Sequence, residues 1–175
     1  MSFDPARLQL FVVDFQEKLF GAMPEGPREA AAKAAGNLRF AFDALSLPVV
    51  TTEQYPQGLG PTLEPLRGAP TFAKTTFSAM RDEAIAAELR RPAVVLAGME
   101  THICVTLTAL DLRARGVDVI VVPDACVSRR KADWRAGLAL MEGAGARIVP
   151  SETLLFALVE RAGTPLFKEI SRRIR

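Results

Sequence analysis

The chain reads as an α/β protein with three layers, α/β/α, around a mostly parallel central sheet. Short apolar runs of strand length alternate with segments of helical spacing along almost all of it, the pattern of parallel strands joined by right-handed crossovers with helices on both faces. The runs are apolar at successive positions, as suits strands buried on both sides. At 175 residues, 49% hydrophobic and 24% charged, the chain can bury one core and is too short for two comfortable domains. One domain over residues 1–175 is expected.

The first run, Leu8 to Val13 (LQLFVV), is a strand that delivers Asp14 at its carboxyl end, followed by Phe15, Gln16 and Glu17. Ligands of open α/β sheets bind beyond the carboxyl ends of strands, so Asp14 is either a site residue or a cap of the next turn. No G-x-G-x-x-G or P-loop follows, which argues against the usual nucleotide folds. Gly21 to Pro27 is a loop before a long Ala-rich helix that runs through Ala44. Leu47 to Thr51 is the next strand, and Gln57 to Pro70, rich in Gly and Pro, is an irregular loop long enough to shape a pocket. Pro70 to Lys74 is a short extended piece ending in a lysine, and Arg81 to Arg90 is an amphipathic helix.

Ala93 to Ala97 is a strand buried on both faces, and helical spacing begins at His102, with Ile103, Leu107 and Leu110 at three- and four-residue intervals. Cys104 thus falls in the first turn of a helix, with Thr101 as N-cap, where free amides and the helix dipole favour a thiolate. A buried cysteine is more often a small hydrophobe. Val117 to Val122 is the following strand, Lys131 to Gly143 a helix, Arg147 to Val149 the last strand, and Ser151 starts a helix to about Arg161. The basic tail at Lys168, Arg172, Arg173 and Arg175 reads as a solvated terminal helix.

Composition removes whole classes of function. With 22 basic and 20 acidic residues the formal charge is +2, too small for a nucleic-acid footprint. Two cysteines, Cys104 and Cys126, do not make a disulfide framework. The start lacks a secretory h-region and no run approaches a membrane span, so the expected location is cytoplasmic, with no membrane partner. There is one histidine, His102. Any centre needing two imidazoles within one subunit is excluded, and His102 stands two residues from Cys104, on another side of a helix. A nucleophilic Cys104 needs a base other than imidazole.

Three motifs in order resemble the isochorismatase-like cysteine hydrolases: the strand ending Asp14-x-Gln16, K-x-x-F-S at Lys74 to Ser78, and G-M-E-T-H-I-C at Gly98 to Cys104. Thr52 to Pro61 (TEQYPQGLGP), the TALDL segment at Thr108 to Leu112, Asp124 to Arg129 (DACVSR) and the FKEIS ending at Phe167 to Ser171 make the likeness strongest to isochorismatase domain-containing proteins. It spans about Leu8 to Phe167. The resemblance implies an Asp-Lys-Cys triad carried by Asp14, Lys74 and Cys104. In it, Asp14 takes the thiol proton, Cys104 attacks a carbonyl or comparable carbon, and Lys74 holds both poised. A cation beside sulfur and a carboxylate within reach of its proton replace an imidazole.

Main-chain amides of Glu100 and Cys104 are the implied oxyanion donors, and a cis peptide is implied between Met99 and Glu100. Gln16, Tyr55, Phe77, Glu100 and His102, adjacent to these positions or on the loop facing them, are candidate substrate contacts. Nicotinamidases of the superfamily carry a metal site with histidines where this chain has Glu53-Gln54-Tyr55, so neither a metal nor another cofactor is expected. The implied function is metal-independent hydrolysis of a small amide, imide or related C-N or C-O bond through a covalent Cys104 intermediate, in a homo-oligomer acting on a small molecule. Two other readings stay open: a non-catalytic oligomeric scaffold of the same fold, and a thiol redox protein using Cys104 and Cys126.

Overall fold

The computed structural model describes residues 3–68 and 70–175. Six parallel strands form one sheet: β1 (Leu8–Val13), β2 (Val49–Gln54), β3 (Thr71–Lys74), β4 (Ala93–Met99), β5 (Asp118–Val127) and β6 (Arg147–Ile148), in the order β3-β2-β1-β4-β5-β6. The helices are α1 (Glu17–Gly21), α2 (Glu25–Ala44), α3 (Pro56–Leu59), α4 (Glu83–Ala86), α5 (Thr106–Ala114), α6 (Lys131–Gly143), α7 (Ser151–Val159) and α8 (Pro165–Arg173).

Alternation along the strands divides the core in two. Leu8, Leu10 and Val12 of β1 face a layer made by α2, α7 and α8, while Phe11 and Val13 face the layer of α4, α5 and α6. Ala31, Ala34, Ala35, Leu38, Ala41 and Phe42 form the buried stripe of α2, and its small alanines let the helix lie close to the sheet. The tail helix α8 is docked: Ile170 is buried and the Arg173 guanidinium lies 3.8 Å from the Phe40 ring centre.

Three expectations need correction. Asp82 caps α4 through the amides of Ala84 and Ile85, and the Gln9 carboxamide takes the Glu88 carbonyl and the Arg90 amide, so the Arg81 to Arg90 helix contracts to Glu83–Ala86 after a 3₁₀ turn at Ala79–Arg81. The strand expected to stop at Val122 runs on to Val127. Its pairing with β4 jumps from Leu96↔Val121 to Gly98↔Cys126, a bulge that accommodates Pro123, which has no amide hydrogen to give a ladder. Thr101 is no N-cap: it opens a π turn, Thr101–Val105, and its buried hydroxyl has no hydrogen-bond partner among the described residues.

Candidate active site

Asp14 follows β1 with φ +54°, a left-handed conformation that Asp tolerates better than most residues. That reversal lets the side chain lie across the sheet end, completely buried. Its Oδ1 accepts from Thr52 Oγ1 at 2.6 Å, and its Oδ2 lies 2.8 Å from Lys74 Nζ. Lys74 comes from the end of β3, on the far side of β2, so the pair spans the end of β2. Thr52 and Gln54, two positions apart on that strand, share a face. The first holds Asp14, and the Gln54 Oε1 accepts from Lys74 Nζ at 2.6 Å. The carbonyls of Thr76 (3.1 Å) and Phe77 (3.3 Å) complete the acceptors around the ammonium. A buried ion pair is tolerated when its remaining donors and acceptors are satisfied in this way.

Cys104 belongs to the π turn between β4 and α5. The Met99-Glu100 peptide is cis, and the Glu100 carbonyl accepts from the amides of Ile103 (3.1 Å) and Val105 (3.4 Å). Among the described residues, the amides of Glu100 and Cys104 make no hydrogen bond to a group outside this turn. The thiol is buried, and its pKa is pushed up to about 12, by burial first and next by the Asp14 charge; Lys74 works the other way, while hydrogen bonding to Asp14 and the Glu100 charge raise it further. The helix-end thiolate expected from the sequence is therefore corrected to a thiol, because burial beside a carboxylate outweighs the turn's amides. Cys104, Asp14 and Lys74 are thus brought together as one buried group.

A sequence model of the isochorismatase domain matches residues 9–153. Isochorismatase domain-containing protein 2 of Bos taurus is 42% identical over 177 residues, covering 98% of this chain and 84% of that protein. The chain belongs to the isochorismatase family. Among solved structures, the MAR1 ribonuclease of Caenorhabditis elegans superposes with a TM-score of 0.90 at 36% identity, over 99% of this chain and 92% of that one. An octameric hydrolase of unknown specificity from Escherichia coli shares the fold, with a TM-score of 0.82 at 24% identity over 90% and 82% of the two chains.

In this isochorismatase-family chain the candidate contacts fall into two groups. Tyr55 and Phe77 bracket Lys74: the Tyr55 amide donates to the Lys74 carbonyl at 2.9 Å, the Phe77 carbonyl accepts from its ammonium, and both rings are more than half exposed. Gln16, Glu100 and His102 each have hydrogen-bond partners within the protein. The Gln16 amide nitrogen donates to the Gln54 and Gly60 carbonyls and its oxygen accepts from the Gln54 amide, tying the loop after β2 to β1. The His102 Nδ1 lies 3.0 Å from Ser128 Oγ and its Nε2 4.0 Å from Asp133, on the α6 side of the turn. The Glu100 carboxylate is held by Arg129.

Where nicotinamidases have metal ligands, this family member spends Glu53 on the Thr62 amide and hydroxyl, both at 2.7 Å, and Gln54 on Lys74 and the Thr75 carbonyl. These residues do not fit a metal. Sequence reasoning missed Thr52, Gln54 and Arg129 as residues supporting the site. The signal for the first two was the period-two spacing at a strand end; for Arg129 it was its place at the end of the DACVSR motif, which by itself assigns no role. A separate cavity of about 300 Å³, lined by Pro24, Pro27, Cys126, Ser128 and Trp134 among others, does not include the Asp14, Lys74 and Cys104 group.

Proposed function

We propose that this protein is a cysteine hydrolase of a small amide, imide or related C-N or C-O bond, with Cys104 as nucleophile, Asp14 as base and Lys74 as electrostatic partner. The observation that carries this reading is a nearly buried thiol beside a fully buried Asp14 and Lys74 ion pair. A thiol held near pKa 12 is a poor nucleophile until its proton leaves, and Asp14 is the acceptor next to it. As the sulfur bonds to the carbonyl carbon, its proton passes to Asp14 and the new thiolate character is met by Lys74. The carbonyl oxygen gathers charge against the Glu100 and Cys104 amides. Asp14 then returns the proton to the departing nitrogen or oxygen as the C-N or C-O bond breaks. A water, deprotonated by Asp14, splits the thioester, and the proton returns to sulfur as the acid leaves.

Tyr55 and Phe77, exposed at the rim beside Lys74, suit a small substrate with a planar or apolar portion. The working unit in this reading is a dimer or larger. The test is a panel of small amides, imides and ureides, with product release and intact mass followed together. Because the nematode relative is named a ribonuclease, an RNA oligonucleotide belongs in the same panel. The expected result is an acyl adduct on Cys104 with at least one amide or imide, and a rate lower by about 10³-fold or more in Cys104→Ala. No adduct and no turnover across the panel, or RNA cleavage that survives Cys104→Ala, would overturn the reading.

A further inference from the structure

The stretch between β5 and α6 docks on the cysteine turn, and the proposed chemistry gives it no task. Arg129 lies in this stretch. Both carboxylate oxygens of Glu100 are 3.1 Å from Arg129 Nε, Oε1 is 3.0 Å from its second guanidinium nitrogen, and Oε2 accepts from the Arg129 amide at 3.0 Å. Glu100 is only 5% exposed, whereas the Arg129 side chain is more than half exposed. One residue earlier, Ser128 Oγ meets the His102 ring. The two polar side chains of the cysteine turn that point away from the sheet end, at 100 and 102, are thus both taken by this segment.

We propose that Arg129 is a positioning residue for the cysteine site: its fork on Glu100 fixes the turn that presents the Cys104 sulfur and the Glu100 and Cys104 amides. The inference rests on the reading of Cys104 as nucleophile. The Glu100 carbonyl accepts from the Ile103 and Val105 amides of the π turn, so anchoring the Glu100 side chain holds the main chain that carries both donors. A planar guanidinium gripping two oxygens sets that orientation where a single-point lysine contact does not. Charge adds to geometry. The groups facing the Cys104 sulfur are Asp14 from the end of β1, Lys74 from the end of β3 and Glu100 from its own turn, and the Glu100 charge opposes loss of the thiol proton. Arg129 stands behind that charge and offsets it, while His102 is turned to Ser128 and Asp133.

The experiment is the rate of Cys104 alkylation by iodoacetamide between about pH 7 and about pH 8.5, where the fold holds, resolved by peptide mass, for the whole chain and its variants. Arg129→Ala should slow labelling about tenfold, the equivalent of one pKa unit. Arg129→Lys should restore the rate only in part, because the fork is lost. In Arg129→Ala combined with Glu100→Gln, the rate should return toward that of the parent. A purely structural Arg129 would lower the urea midpoint and leave the labelling rate of the folded chain where it was. An unchanged rate in Arg129→Ala, or a slowing that Glu100→Gln fails to cancel, would overturn the proposal. Should Arg129→Ala fail to fold, Arg129→Gln and Arg129→Lys decide by the same rates. The hydrolase reading is judged separately, by the parent chain's own adduct formation.

Discussion

Asp14 combines a left-handed backbone with a fully buried charge, and each makes a separate demand on substitution. Asn keeps the shape and tolerates positive φ, whereas Ala does not. Asp14→Asn should therefore fold with a modest loss of stability. Lys74→Ala, which strands the Asp14 carboxylate without its cation, should cost about 3–5 kcal/mol in urea unfolding. The two thiols make a further prediction. Cys104 and Cys126 are both held near pKa 12, against an ordinary 9.0, with burial the leading cause in each. Between those values the unfolded chain has released protons that the folded chain keeps. Stability is then full below about pH 9 and falls as the pH climbs toward 12. Urea midpoints at about pH 8 and about pH 10.5 should show the decline. Cys126→Ala should show less of it, and an equal decline in that variant would contradict the assignment.

The π turn and its neighbours set the site at the level of elements, and two glycines show how closely they are packed. A Cβ on Gly98 would sit 2.5 Å from the Val13 carbonyl oxygen and 2.6 Å from the Val13 Cβ, where β4 and β1 run side by side just before Cys104 and Asp14. A Cβ on Gly137 would meet the His102 Cα at 2.9 Å, where α6 crosses the turn. Gly98→Ala should be the more damaging because its contacts are closer and lie between two paired strands. Gly137→Ala should cost about 1–3 kcal/mol and slow Cys104 labelling, since α6 can move off the turn only by disturbing it. If Gly137→Ala labels at the parent rate with the stability loss intact, the turn does not depend on α6. The strands at Leu8 to Val13 and Ala93 to Ala97 were legible because unbroken apolar runs bounded by charge or Gly have few other readings. The π turn was not, since helical spacing alone does not separate an α from a π turn. Arg129 was hidden for a related reason: β5 was read as ending at Val122, and only the bulge around Pro123 brings its residues level with Glu100.

For the whole molecule, strand order explains why three residues distant in sequence meet. The chain builds β1, β2 and β3 outward in one direction, then returns to place β4 beside β1 and builds β5 and β6 in the other. The crevice of such a sheet opens where the order reverses, between β1 and β4, and Asp14 and Cys104 follow those two strands. Lys74 reaches the same place across β2 because only a long side chain spans a strand's width. Among the described residues no helix is long and apolar enough to cross a membrane. Sedimentation of the purified chain should give a dimer or larger assembly, and a monomer at micromolar concentration would contradict that part of the proposal. The central claim, that Asp14 takes the Cys104 proton as the sulfur attacks, is tested most directly by acyl-adduct formation on Cys104 in the parent chain and in Asp14→Asn. The adduct should form about tenfold or more slowly in Asp14→Asn, even though loss of the Asp14 charge removes one cause that raises the resting thiol pKa; an equal or faster rate in Asp14→Asn would contradict it.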